Sequence, residues 1–193
     1  QASGSRRHGS RCARAWSPQA EGSEAVEGLE APLRIAVFPT RAGARCVAAV
    51  KGDVAGFDMV PTRIHSECLF GDALGSSRCN CGPELNSFRK DVLGDASVPR
   101  GVLLYLQGHE GKGIGLVNKL RAYNLQDGPE RLGEVDANLR LGFPADLRRY
   151  GAARAALRYL GVHSVALYTS NARKAAAAGD LVAAVVPWSR SER

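Results

Sequence analysis

Hydrophobic positions arrive late in this chain. Residues 1–31 are mainly Ala, Gly, Ser, Arg and Glu with almost nothing to bury, a composition that predicts a disordered N-terminal segment. From Leu33 the pattern changes: Leu33–Phe38 and Arg45–Val50 are short apolar runs separated by Pro39 and Gly43, which predicts a hairpin. Met59–His65 is a further strand candidate, and Val102–Leu106 is an apolar run of the buried-strand type. Between them Gly71, Gly75, Gly82 and Pro83 break the chain into a loop, with a short helix expected after Pro83. Leu116, Leu120 and Tyr123 recur at i, i+4 and i+7, which predicts a helix over Leu116–Gln126 with that stripe inward, ended by Gly128 and Pro129. Pro144 and Asp146 read as the start of a second helix, with Leu147, Tyr150, Leu157 and Leu160 facing inward and Gly161 just beyond its end. Val162–Thr169 and Leu181–Val186 are strand candidates, with a stub of helix at Ala175–Ala178 between them.

This order gives an α/β fold (mixed α+β): one domain over residues 32–187, a mixed sheet flanked by helices, and a short tail at 188–193. At 193 residues a single domain is the default. Such a domain buries roughly 70% of its unfolded surface and needs no disulfide framework. Hydrophobic content of 45% and charged content of 23% read as ordinary globular protein, and no run of ~18 apolar residues spans a membrane.

Charge and cysteine change the picture. The net charge is +7, and Arg6, Arg7, Arg11 and Arg14 cancel against Glu21, Glu24, Glu27 and Glu30, so the excess belongs to the folded part. A basic domain calls for an anionic partner: nucleic acid, nucleotide or phosphate. The scattered aromatics argue against a nucleic-acid platform. Three of the five cysteines, Cys68, Cys79 and Cys81, crowd into fourteen residues as C-x10-C-x-C. In a reducing compartment that cluster reads as metal-binding rather than as disulfides, and a cytoplasmic location is expected. Arginine- and serine-rich residues 1–19 also resemble a plastid transit segment; a linker from an upstream domain is the other reading. Thiolates suit zinc, and a catalytic zinc takes three protein ligands and keeps one position for water. His65, at H-x2-C before Cys68, leaves a closed structural Cys3His site as the alternative.

Other candidates are weaker on the residues alone. The glycines of G-H-E-G-K-G-I-G-L (108–116) suit either close approach to phosphate or a plain turn. Tyr123 reads as a core residue, Asp146 as a helix cap and Arg148 as a solvated face. Thr169 to Lys174 stands at a strand end leading into a helix, a place for an anion or for an ordinary capping Ser or Asn.

The motifs R-I-H-S-E-C, G-D-A-L-G-S, R-C-N-C-G, E-G-K-G-I-G-L, N-K-L-R-A-Y and A-N-L-R-L-G-F-P-A-D-L-R, in that order, resemble the GTP cyclohydrolase II family over roughly Leu33 to Pro187. The resemblance implies a zinc-dependent hydrolase that opens the imidazole ring of GTP at C8. Formate and pyrophosphate are released, giving 2,5-diamino-6-(5-phosphoribosylamino)pyrimidin-4(3H)-one, the first step of riboflavin biosynthesis. It implies one zinc per chain on Cys68, Cys79 and Cys81, and magnesium with the triphosphate. Substrate contacts would fall at Arg63, Ile64, His65, Ser66, Glu67, Glu84, Glu110, Gly111, Lys112, Glu134, Thr169 and Lys174. Asp146 matches the family's proton acceptor, Arg148 its proposed nucleophile and Tyr123 a tyrosine that assists ring hydrolysis. A protonated guanidinium is an odd nucleophile, so charge stabilisation at the leaving phosphate is the simpler role for Arg148. A homodimer is expected, and a dihydroxybutanone phosphate synthase domain is often fused to this one.

The chain departs from the resemblance in its substrate cradle. Glu84 stands where the family usually has glutamine, Lys112 where it has arginine and Glu134 where it has threonine; Ser170 replaces a more usual asparagine. A catalytically weakened or silent nucleotide-binding relative is therefore the alternative reading.

Overall fold

The computed structural model describes residues 16–40 and 43–188. Its seven described strands form one sheet: β1 (Ala20–Glu24), β2 (Leu33–Pro39), β3 (Arg45–Lys51), β4 (Val60–Ser66), β5 (Gly101–Leu106), β6 (Val165–Tyr168) and β7 (Val182–Val186). The order across the sheet is β1-β2-β3-β5-β4-β6-β7. The first four strands in that order pair antiparallel, and β5, β4, β6 and β7 run parallel.

Strand alternation sorts the side chains into two cores. Even-numbered residues such as Ala36, Phe38, Ala48, Val50, Val60, Ile64, Val102 and Leu104 face the larger core. Helix α5 (Gly151–Tyr159) closes it with Ala153, Ala156 and Leu157, and α6 (Ala172–Ala178) closes it with Ala178. Odd-numbered Leu33 and Leu103 face a smaller core, which α2 (Cys81–Phe88) and the following π turn (Arg89–Leu93) close with Leu85, Phe88, Val92 and Leu93. The two crossovers that leave β4 and β5 therefore lie on opposite faces of the sheet. The first, through α1 (Leu69–Asp72) and α2, returns to β5; the second passes over β4 to reach β6. Such a switch in direction opens a crevice at the carboxyl ends of the strands, where α/β sheets hold ligands.

Helices α3 (Leu116–Asp127) and α4 (Glu134–Arg140) pack beside that crevice around Ile114, Ala122 and Ala137. No described helix is long and apolar enough to cross a membrane.

Several expectations need correction. Residues 20–24 form an edge strand, not disordered chain. All five side chains are exposed, so composition gave no signal, and the strand is held by backbone pairing to β2. Trp16 stacks on Phe38 at 4.6 Å, which extends the ordered part further toward the N-terminus. The expectations for residues 1–15 and 189–193 lie outside the described residues. The helix expected to start near Asp146 starts at Gly151, and Leu147 is exposed. In α3 the stripe is wrong: Leu116 and Leu120 are exposed, while Lys119 and Ala122 are buried. The helix packs on α4 through Ala122 and turns a polar side to the site, so its apolar spacing pointed the wrong way. Helix α4 itself went unrecognised.

Candidate functional site

The three cysteines converge. Cys68 follows β4, and Cys79 and Cys81 bracket the start of α2; their sulfurs all lie within 4.8 Å of one another. The Cys68–Cys79 separation is 3.7 Å. A tetrahedral metal with sulfur ligands at ~2.3 Å places its sulfurs about 3.8 Å apart, so this spacing fits. Glycine makes the room. A Cβ on Gly71 would meet the sulfur of Cys79 at 2.8 Å and that of Cys68 at 3.2 Å; one on Gly82 would meet the Gly71 carbonyl oxygen at 2.2 Å. The Cys81 hydrogen bond is the largest influence on the Cys68 thiol. With the Gly71 N–H and Lys119 it draws that thiol down to about 5, against burial.

His65 is not a fourth ligand. Its Nε2 lies 2.9 Å from Asp72 Oδ1, and its Nδ1 faces the Arg63 guanidinium at 3.3–3.4 Å. Burial, the largest cause, lowers its pKa. A neutral ring that donates from Nε2 and accepts at Nδ1 satisfies both contacts. The closed Cys3His reading therefore fails on geometry.

Asp72 is the residue that sequence reading missed. Its Oδ2 accepts from the Cys68 N–H at 3.0 Å and from the Tyr105 hydroxyl at 2.8 Å. With the His65 contact, this one carboxylate holds a thiol ligand's backbone and two rings. Its place in G-D-A-L-G-S, four residues after Cys68, was the available signal.

Lys119 and Tyr123, one turn apart on α3, both face the thiols. Lys119 Nζ is 3.2 Å from the Cys68 sulfur and 2.5 Å from Glu110. Glu110 in turn accepts from the Leu69 N–H at 2.7 Å. Tyr123 is half-buried beside Phe70, with the Arg78 guanidinium 4.2 Å from its ring centre.

The remaining candidates line the carboxyl ends of the parallel strands. Arg63, on β4, is buried and pairs with Glu84; its Nη1 also donates to the Tyr168 carbonyl. Ile64 is wholly within the larger core, so its side chain offers no contact. Ser66 donates to or accepts from buried His109 at 3.1 Å, and Glu67 accepts from the Gly108 N–H at 2.7 Å; both tie β4 to the loop after β5. In that loop Gly111 (φ 58) and Lys112 (φ 59) are left-handed, and a Cβ on Gly111 would sit 2.9 Å from Lys119 Cβ. Lys112 pairs with Glu134 at 2.7 Å. Its carbonyl also accepts from the Leu147 N–H, which brings the 110–113 loop beside Asp146 and Arg148.

Asp146 accepts from the Arg148 N–H at 2.9 Å and from its guanidinium at 2.7 and 3.0 Å, and it also pairs with Arg173. Burial alone would raise Asp146. The guanidiniums win and hold its carboxyl well below the usual range. Thr169 is buried and accepts from the Asn171 N–H, and Asn171 caps α6, as the capping alternative had it. Lys174 is buried, and no described carboxylate forms an ion pair with it. Burial first, then Arg63, lowers its pKa to about 8, with Arg148 lowering it further and Glu84 and Cys81 opposing. Direct contacts thus join Arg63 to Glu84, Glu110 to Lys119 beside the thiols, Lys112 to Glu134 and Asp146 to Arg148, while Ile64 stays in the core.

Comparison with known proteins gives the family. The profile of the family described as GTP cyclohydrolase II matches residues 26–185. The riboflavin biosynthesis protein RibBA of Mycobacterium avium (strain 104) is 52% identical over 132 residues, covering 66% of this chain and 30% of the relative. RibBA of Bacillus mycoides (strain KBAB4) is 51% identical over 130 residues, 67% of this chain and 31% of the relative. The chain thus spans about a third of the length of these curated relatives. Among solved structures, RibBX of A. baumannii, a two-domain 3,4-dihydroxy-2-butanone 4-phosphate synthase, covers 90% of this chain and 40% of its own at 17% identity and a TM-score of 0.45. With a family match across most of its length and a thiol triad spaced for a metal, the chain belongs to the GTP cyclohydrolase II family.

Proposed function

We propose that this chain hydrolyses GTP at C8, releasing formate and pyrophosphate, with zinc on Cys68, Cys79 and Cys81. The observation that carries the reading is the thiol triad with its metal-compatible spacing and the Lys119 ammonium against it. Bound zinc would supply a water acidified from a pKa of 15.7 toward ~7, available for attack at C8 near neutral pH. One water adds across each of the two C8–N bonds, and a third across the α–β phosphate linkage, which balances formate, pyrophosphate and the diaminopyrimidine.

The chain's own residues orient and stabilise. Arg63 and Glu84 present a donor and an acceptor for the base. Glu84 accepts from ring N–H groups but cannot donate. Tyr123 stands by the thiols and holds a hydroxyl near the opening ring. Lys174 offers an ammonium without a carboxylate partner to the α-phosphate. Arg148 acts as a fixed positive charge on the departing phosphate, not as a nucleophile. Burial, the largest single influence, lowers its pKa, but Asp146, Tyr150 and Glu134 together raise it above the ordinary value, and Asp146 is too weak a base to deprotonate it. Magnesium would travel with the triphosphate, since Glu110, Glu134 and Asp146 are already paired with cations.

A homodimer is part of this reading. Leu116, Val117 and Leu120 leave one side of α3 apolar and exposed, as a covered face would require. Fusion to a dihydroxybutanone phosphate synthase domain is the corresponding proposal for the longer protein.

The test is direct. Zinc-loaded protein is incubated with GTP and magnesium, and formate and the diaminopyrimidine are measured. Turnover is expected, with loss of bound zinc and of formate in Cys79→Ser. Absence of formate from the fully loaded protein would overturn the proposal.

A further inference from the structure

Cations in the cleft are almost all occupied by the protein's own carboxylates. Arg63 is held by Glu84, Lys119 by Glu110, Arg148 and Arg173 by Asp146, and Lys112 by Glu134. These pairs are not alike. Glu110 and Asp146 also accept backbone N–H groups, which fixes them in place. Glu134 forms no other described hydrogen bond or ion pair. It is the first residue of α4, its side chain is 61% exposed, and it reaches across to the ammonium of Lys112, whose side chain is 23% exposed. Lys112 cannot readily retreat, because its backbone is left-handed and its carbonyl is tied to Leu147.

We infer that Glu134 is a specificity-determining residue: a displaceable internal counter-ion that occupies Lys112 until a phosphate group exchanges for it. The inference rests on the nucleotide-hydrolase reading above for the direction in which the phosphates lie. An exposed pair of this kind is weak and opens at little cost. The carboxylate remains nearby after it opens, attached to α4 and close enough to act on the Arg148 guanidinium. Each added phosphate charge at that end therefore meets both a freed ammonium and a displaced carboxylate. Longer, more highly charged phosphate tails gain less here than the number of cations suggests. Discrimination between nucleotides of different phosphate length is set at this pair, while the base and the thiols are untouched.

The probe is inorganic pyrophosphate, titrated calorimetrically into the full zinc-loaded chain, so the measurement does not depend on turnover. Glu134→Gln is expected to tighten pyrophosphate binding by roughly tenfold, the scale of one nearby charge in a partly screened site. In a Lys112→Gln background the same change should have less than twofold effect, because nothing is left to be released. Asp136→Asn, on the exposed side of the same helix, is the control for general charge and should shift binding less than twofold. With GTP, Glu134→Gln should lower KM. Pyrophosphate affinity unchanged by Glu134→Gln, or undetectable in both proteins, overturns the inference. Equal tightening in the presence and absence of Lys112 also overturns it, since that is simple repulsion. Tightened pyrophosphate binding in a protein that releases no formate would leave this inference standing and the hydrolase reading fallen.

Discussion

At the thiol end of the cleft the side chains of His65, Asp72 and Lys119 are each under a tenth exposed, and each contacts at least two partners. At the other end, where the phosphates are proposed to lie, Glu134 and Arg173 are 61% and 50% exposed. The first end is a closed hydrogen-bonded network in which removing one member strands the others, and stranded buried polar groups are costly. The second is a set of partly screened charges that can exchange partners with water or ligand. A metal site requires ligands held in fixed geometry, whereas a phosphate cradle has to open, fill and empty.

Asp72→Asn should break the thiol end most severely. An amide can still accept from the Cys68 N–H, but its NH2 then faces the donating Nε2 of His65. Turning the ring to its other tautomer would point Nδ1–H at the Arg63 guanidinium. The conflict passes along the whole row from Asp72 to Glu84. Partners that orient metal ligands typically contribute roughly 10–100-fold in metal affinity. Zinc affinity measured by chelator competition should fall within that range, with the fold retained by circular dichroism. Affinity within twofold of the parent would show that Asp72 does not position the ligands.

How much of this was legible in the sequence follows the same division. The hairpin of β2 and β3, strands β4 to β7 and the thiol triad were readable, because burial imposes an alternation and metal chemistry imposes a spacing. Strand β1 was not, because an exposed edge strand is held by backbone bonds that leave no mark on composition. The apolar stripe on α3 misled for a related reason. Leu116 and Leu120 repeat at helical spacing on a face that the described chain leaves uncovered, while Lys119 is buried by its charge partners Cys68 and Glu110. Asp146 and Arg148 became candidates only through resemblance. The loop at residues 143–150 has no periodicity, and the Asp146–Arg148 pairing is a local turn that many sequences could make. The pairing of Glu134 with Lys112 lies 22 positions apart between a loop and a helix, beyond any local pattern.

Lys174 gives an intermediate effect in which fold and ligand respond in opposite directions. Burial, its largest influence, lowers its pKa from the ordinary 10.5 to about 8. Below about pH 8 the ammonium is charged and attracts phosphate; above it the attraction is lost. Pyrophosphate affinity should therefore decline as pH rises through 8, and Lys174→Met should remove that step along with most of the binding. Stability carries the reverse sign. The folded pKa lies below the unfolded value, so this group's contribution is greatest above pH 10.5 and is lost as pH falls through 8. The difference corresponds to about 3 kcal/mol for a shift of this size. Thermal melts of the parent and Lys174→Met between pH 7 and 10 should converge as pH rises. A constant gap across that range would mean the ammonium is not held against its burial.

The smallest expected effect lies at the rim of the thiol end. Arg78 pairs with Asp127 at 2.7 and 2.8 Å and lays its guanidinium 4.2 Å from the centre of the Tyr123 ring. Both charged groups are exposed, so the ion pair itself is screened and Arg78→Ala should leave the melting midpoint unchanged. The ring contact matters differently, because Tyr123 faces Cys68 and Cys79 on its inner side and is covered by Arg78 on its outer side. Losing a cation over an exposed ring alters its placement by an amount worth roughly two- to fivefold. The expected signature is a fall of that size in formate release, with zinc content and KM unchanged. Arg78→Lys should recover part of it, since an ammonium can still sit over the ring but cannot form the two-pronged bond to Asp127. A change in zinc content instead would mean that Arg78 acts on its neighbour Cys79, and the thiol end would then extend to the surface.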